Sequence, residues 1–268
     1  MLKQRILTAL ILIPIFILLV LFLPPQAFYL LTAAIMLWGA YEWSFFMGIN
    51  QFPRYLAYPL FTIPILFIAY LFPITPILYI TLAWWLIASS LVICYPKNAS
   101  LWGNRTTIRA LMGLLTLVPC WLAVNYIRNY PNGISILLFL FVLIWGADSG
   151  AYFAGRKWGK HKLIPQVSPG KTWEGFLGAL ITTVLIALCG LVIFKIPYAA
   201  WPVALMWAML TVLFSIMGDL FESMMKRQAG LKDSGHLLPG HGGILDRIDS
   251  LTAAAPVFAL GLAISHWI

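Results

Sequence analysis

The chain is short of charge. Asp, Glu, Lys and Arg make up only 9% of its 268 residues, against 62% hydrophobic ones, and this excludes the one or two soluble domains that its length would otherwise allow. Cysteine is scarce as well. Cys94, Cys120 and Cys189 stand singly in apolar runs with no CxxC spacing and no His partner, so they read as small packing residues. There is no internal repeat, no low-complexity tract and no soluble linker. The first apolar run, from Met1 to Leu23, lacks the short core and small-residue cleavage site of a signal peptide and reads as a membrane span.

What is present is apolar sequence. The mean hydropathy is +0.92, with 12 Trp and 17 Phe. After residues 1–23, segments of spanning length follow at 27–47, 54–72, 76–95, 108–127, 133–154, 174–194, 200–222 and 251–267. The fold class expected is therefore all-α, a polytopic integral membrane protein of about nine transmembrane helices. Residues 1–107 form an N-terminal group of about four spans. Residues 108–268 form a second region with cytoplasmic loops at 155–173 and 223–250.

The basic residues follow this division. With the N-terminus inside, Lys3, Arg5, Arg54, Lys97, Arg105, Arg109, Arg156, Lys157, Lys160, Lys162, Lys171, Lys226, Arg227, Lys232 and Arg247 fall on the cytoplasmic side, and only Arg128 and Lys195 fall outside. That bias implies N-in and C-out. It also explains the net charge of +9 through topology and anionic lipid, without nucleic acid. Arg54, Lys97, Arg105 and Arg109 read as topology markers only.

Acids are scarcer than bases, and seven of the eight (Asp148, Glu174, Asp219, Glu222, Asp233, Asp246 and Asp249) lie between residues 148 and 249. A carboxylate at membrane depth costs about 3 kcal/mol on insertion scales, so such residues tend to face a polar cavity and mark function. Asp148 and Asp219 are so placed, near the ends of their spans. Ser223 follows Asp219 by four residues and shares its helix face. The eighth acid, Glu42, is isolated in GAYEWSFF and reads as an interfacial or helix-packing residue.

Polar chemistry concentrates between Ser223 and Asp249, in SMMKRQAGLKDSGHLLPGHGGILDRID. Lys226, Arg227, Lys232 and Arg247 suit phosphate oxygens, and Asp246 and Asp249, at i and i+3, share one face of a helix. Between these groups, His241-Gly242-Gly243 forms a turn whose glycines can take positive φ and let backbone approach a ligand. The loop from Gly155 to Gly175 adds Arg156, Lys160, Lys162, Lys171, Ser168 and Thr172, a set able to cradle a polyphosphate. Its PGKT only imitates a P-loop, because the pattern would need Gly at Pro165 and a preceding strand. His161, His236 and His266 have no metal-ligand spacing.

The run S-x2-K-R-x4-K-D-x-G-x2-L-P-x-H-G-G-x2-D-R-x-D over 223–249 resembles the signature of the phosphatidate cytidylyltransferases, or CDP-diacylglycerol synthases. The upstream S-P-x-K-T-x-E-G at 168–175 resembles the same family. The resemblance implies attack of a phosphatidate oxygen on the α-phosphorus of CTP, giving CDP-diacylglycerol and pyrophosphate in phospholipid biosynthesis. A site with carboxylates and cations but no Ser-His or Cys-His pair suits such transfer at phosphorus.

On this reading Asp219, Asp246, Asp249 and Ser223 hold Mg²⁺, with a second cation left open. Lys226, Arg227, Lys232, Asp233, His241 and Arg247 complete the catalytic set. Asp148, Arg156, Lys160, Ser168, Lys171, Thr172, Glu174, Gly242 and Gly243 are expected to bind substrate. The partners expected are CTP, phosphatidate and membrane lipid, with a second copy of the chain left open and nucleic acid excluded. The location expected is a bacterial inner membrane with the site facing the cytoplasm. Lys226→Ala is expected to lower turnover without changing insertion. Two rivals fit less well: a CDP-alcohol phosphotransferase would carry D-x2-D-G-x2-A-R, which is absent, and a transporter would show interrupted helices in two related halves.

Overall fold

The computed structural model describes residues 14–49, 51–237 and 242–265. Residues 14–22 are helical (α1). There follow α2 (Pro25–Phe46), α3 (Arg54–Tyr70), α4 (Ile74–Ile93), the single turn α5 (Ala99–Trp102), α6 (Thr106–Asn129) and α7 (Gly133–Trp158). A hairpin of β1 (Lys162–Ile164) and β2 (Ser168–Thr172) leads to α8 (Trp173–Ile193), a 3₁₀ turn at Tyr198–Ala200, α9 (Trp201–Gln228) and α10 (Leu245–Ser265).

Apolar runs of this length become helices because a helix satisfies its backbone groups internally where water is absent. The few hydroxyls follow the same rule. Thr62, Thr81 and Thr116 each donate to the carbonyl four residues earlier, at 2.8, 2.7 and 2.8 Å.

The fold is nearly all-α, and among the described residues six helices are long and apolar enough to cross a membrane: α4, α6, α7, α8, α10 and α9 together with its preceding 3₁₀ turn. Of the nine spans expected, the first falls largely in residues 1–13, outside the described residues, and the last ends there too. The second forms α2, whose Tyr41, Glu42 and Ser44 dilute its apolar character. The third forms α3, an apolar helix of 17 residues. Large apolar side chains such as Leu30, Phe67, Ile181, Val192 and Ile193 are exposed, as expected of a surface that meets lipid.

Two packing features position the polar groups. α7 and α8 pack through small residues: a Cβ added at Gly150 would strike the Thr182 hydroxyl and come within 2.8 Å of Gly178 O, and one at Gly178 would strike Ala154. This brings Asp148 and Arg156 on α7 beside the start of α8. α9 and α10 also meet closely, because a Cβ at Gly218 would lie 2.6 Å from Asp249 O. The apolar part of α10, Leu251 to Leu262, is buried along its length. Asp249 is thus carried on a helix surrounded by its neighbours.

The structure departs from the sequence reading in three places. The loop expected over 155–173 contains the antiparallel hairpin β1–β2, so the chain is not wholly α-helical. The loop expected over 223–250 is shorter than that, because α9 runs on to Gln228 and α10 begins at Leu245, which puts Ser223, Lys226, Arg227, Asp246 and Asp249 on helices. Of the three cysteines expected to pack inside, only Cys120 is buried; Cys94 and Cys189 are exposed.

Candidate active site

Five elements deliver polar residues to one end of the bundle: the C-terminal turns of α2, α7 and α9, the hairpin with the start of α8, and the first turns of α10. The start of α8 is fixed locally. Thr172 accepts from Gly175 N at 3.1 Å as an N-cap. Glu174 sits in the first turn, favourable to the helix dipole, and its carboxylate lies 2.7 Å from His161 Nδ1. This contact gives His161, expected to have no role, a place in holding the strand's approach to α8.

The hairpin then reaches across to α9. Lys171 Nζ on β2 forms an ion pair with Asp219 Oδ2 at 2.7 Å, and Arg227 Nε donates to Val167 O at 3.4 Å. Beneath the hairpin lies a cavity of about 370 Å³, lined by Asp148, Arg156, Lys171, Thr172, Phe176 and Ile216 among others. Arg156 is exposed at this cavity and holds Tyr152 OH at 3.0 Å.

The carboxylates form two groups that meet at Asp249, which lies in the field of Glu222 and Lys226 as well as of Asp219. In the first, Asp219 and Asp148 share the field of Lys171, and Asp249 interacts with Asp219 from the adjoining face of α10. Ser223 donates to Asp219 Oδ1 at 3.4 Å, which places those two on one helix face as their spacing implied.

The second group is locked. Lys226 Nζ lies 2.6 Å from Asp246 Oδ1 and 3.2 Å from Glu222 Oε1, and all three side chains are largely buried. The other oxygen of Asp246 accepts from Ser234 N, Ser234 Oγ and Gly243 N at 2.9, 2.9 and 2.8 Å. Gly242 takes φ +78°, and a Cβ there would lie 2.5 Å from Asp246 Oδ2. The turn glycines therefore do allow close approach, but to the protein's own acids.

These contacts bear on the metal set of Asp219, Asp246, Asp249 and Ser223. Both oxygens of Asp246 are committed, one to Lys226 and the other to Ser234 and Gly243 N. Asp219, Asp249 and Ser223 form a hard oxygen set, and Mg²⁺ typically takes one or two carboxylates with the rest of its shell from phosphate and water. Among the described residues no group of three or more His, Cys, Asp or Glu is placed to hold a metal ion.

The remaining site residues are placed as follows. Lys160, Lys232 and Asp233 are exposed in connecting segments, Ser168 is half-buried on β2, and Arg247 is exposed on the first turn of α10. His241 lies outside the described residues. Sequence reasoning missed Glu42 and Ser234. Glu42 on α2 is 1% exposed and accepts from Ile244 N and Leu245 N at 2.9 and 2.8 Å. The only signal in the sequence was an acid alone in an apolar helix.

A bundle of apolar helices that gathers acids, cations and a cavity at one end has the makeup of an integral membrane protein with a polar site. The sequence model of the cytidylyltransferase family matches residues 3–265. A phosphatidate cytidylyltransferase of Pseudomonas aeruginosa is 45% identical over 270 residues, covering 100% of this chain and 99% of the relative. One of Haemophilus influenzae is 37% identical over 295 residues, covering 97% and 98%. One of Staphylococcus saprophyticus is 34% identical over 192 residues, covering 62% of this chain and 74% of the relative. The chain belongs to the cytidylyltransferase family and is a nucleotidyltransferase.

Proposed function

We propose that the phosphatidate cytidylyltransferase reaction of this chain runs at the junction of α9, α10 and the β1–β2 hairpin, between Lys171, Asp219 and Asp249. The activity itself follows from the family and the relatives' shared name: CTP and phosphatidate yield CDP-diacylglycerol and pyrophosphate. The observation that carries the location is the Lys171–Asp219 ion pair at 2.7 Å, because it ties the 168–175 motif to α9 one helical turn before the 223–249 motif begins, beside a cavity lined by Lys171.

A lipid phosphate oxygen forms a bond to the α-phosphorus of CTP. The bond from that phosphorus to the bridging oxygen of the β-phosphate breaks, and its electron pair leaves with pyrophosphate. Both substrates are polyanions, so the residues must first offset their repulsion. Arg156 and Lys171 line the cavity, and Lys160, Arg227, Lys232 and Arg247 would add positive charge for the phosphates. Asp219 and Asp249, with Ser223, would hold Mg²⁺, which supplies charge stabilisation on the phosphate oxygens when bound. Lys226 is held between Glu222 and Asp246, so its part is to hold the site and not to meet a phosphate directly.

The site sits at the cytoplasmic face of the inner membrane in this reading, with nine spans, the N-terminus inside and the C-terminus outside. The distribution of basic residues supports it. A reporter fused after Ile268 should read outside the cytoplasm and one inserted near Pro165 inside; the same side for both contradicts the nine-span topology. The reaction is tested with purified protein in detergent, CTP, phosphatidate and Mg²⁺. CDP-diacylglycerol and pyrophosphate should appear in equal amounts, and CTP consumed without the lipid product contradicts the assignment.

A further inference from the structure

Glu42 is the acid farthest in sequence from the others, yet both oxygens of its carboxylate are engaged. Oε1 accepts from Trp38 Nε1 at 3.1 Å and Ile244 N at 2.9 Å; Oε2 accepts from Ser234 Oγ at 3.0 Å and Leu245 N at 2.8 Å. Two of these donors are backbone N–H groups at the start of α10, which have no intrahelical partner of their own. The negative end of the side chain also suits the positive end of that helix. Space is reserved for the contact: a Cβ at Gly235 would lie 2.6 Å from Glu42 Oε1, and one at Gly243 would strike Glu42 Oε2 and Ser234 Oγ.

Ser234 extends the contact. Its hydroxyl lies 3.0 Å from Glu42 Oε2 and 2.9 Å from Asp246 Oδ2. Having one hydrogen, it donates to one carboxylate at a time. The chain of contacts therefore runs from α2 through Glu42, Ser234 and Asp246 to Lys226 and Glu222 on α9. Asp249 follows three residues after Asp246 on the same rigid helix.

We propose that Glu42 is a positioning residue for cytidylyl transfer: from α2 it seats the first turn of α10 and so sets where Asp249 stands against Asp219. This rests on the reaction running at Asp219 and Asp249. Gln at position 42 keeps the shape but turns an NH₂ toward donors, so the seat is lost without a cavity.

The test uses the purified full chain in detergent, with kcat expressed per mole of folded protein and hydrogen exchange followed by peptide. For Glu42→Gln, kcat should fall tenfold or more while the KM for CTP changes less than threefold. Exchange should quicken over 242–249 and stay unchanged in α6, and Glu42→Asp, which keeps four acceptor sites with a shorter reach, should recover part of the rate. Wild-type kcat per folded protein in Glu42→Gln, or exchange unchanged over 242–249, overturns the proposal. Should Glu42→Gln fail to accumulate, Ser234→Ala carries the test: a severalfold fall in kcat supports the proposal and an unchanged kcat overturns it. Asp249→Asn separates the two claims. If it is inactive while Glu42→Gln is fully active, only the role of Glu42 falls; if it is fully active, the site and the role of Glu42 fall together.

Discussion

Lys226→Ala is expected to lower the amount of folded protein in the membrane as well as its turnover. From sequence alone Lys226 reads as a phosphate ligand whose loss would spare insertion. The structure reverses the second half of that expectation, because the Lys226 side chain is 12% exposed between those of Glu222 and Asp246, which are 5% and 8% exposed. Removing it leaves two carboxylates facing each other without a counter-charge. Breaking a buried pair in this way typically costs about 3–5 kcal/mol. Thermal unfolding in detergent should show a midpoint lowered by several degrees, and Lys97→Ala, an exposed topology marker, should not. A Lys226→Ala protein as stable as wild type would show that Glu222 and Asp246 do not depend on it.

Asp219→Asn is expected to behave in the opposite way. Its carboxylate is partly exposed and, among the described residues, paired with Lys171 and Ser223, so the Asn variant should fold and insert normally. Turnover should fall on the order of a hundredfold or more, equivalent to about 3 kcal/mol of transition-state stabilisation. The two variants together separate the locked group around Asp246 from the reactive group around Asp219.

Much of this could be read from the residues, and what could not has physical reasons. The helices are legible because apolar runs of spanning length have one economical solution in a bilayer. The i, i+4 relation of Asp219 and Ser223, and the i, i+3 relation of Asp246 and Asp249, survive because helix geometry is local. The hairpin at 162–172 escaped notice, since three- and five-residue strands around Pro165 leave no run with an alternating pattern. The division of the acids also escaped, because Asp246 and Asp219 look alike in sequence. Their difference lies in Ser234 and Lys226 closing on one while Lys171 and Ser223 reach the other. Glu42 was the hardest, because its partners Ser234 and Leu245 are 192 and 203 residues away and no local pattern joins them. An acid buried without a neighbour in sequence requires donors from elsewhere in the fold, and that requirement was the available clue.

The most direct test is the rate of CDP-diacylglycerol formation by purified Asp219→Asn as Mg²⁺ is raised, beside wild type at equal folded protein. The account predicts a rate about a hundredfold lower, or one regained only at much higher Mg²⁺. Wild-type turnover at the same Mg²⁺ would contradict it and place the reaction away from the junction of α9, α10 and the hairpin.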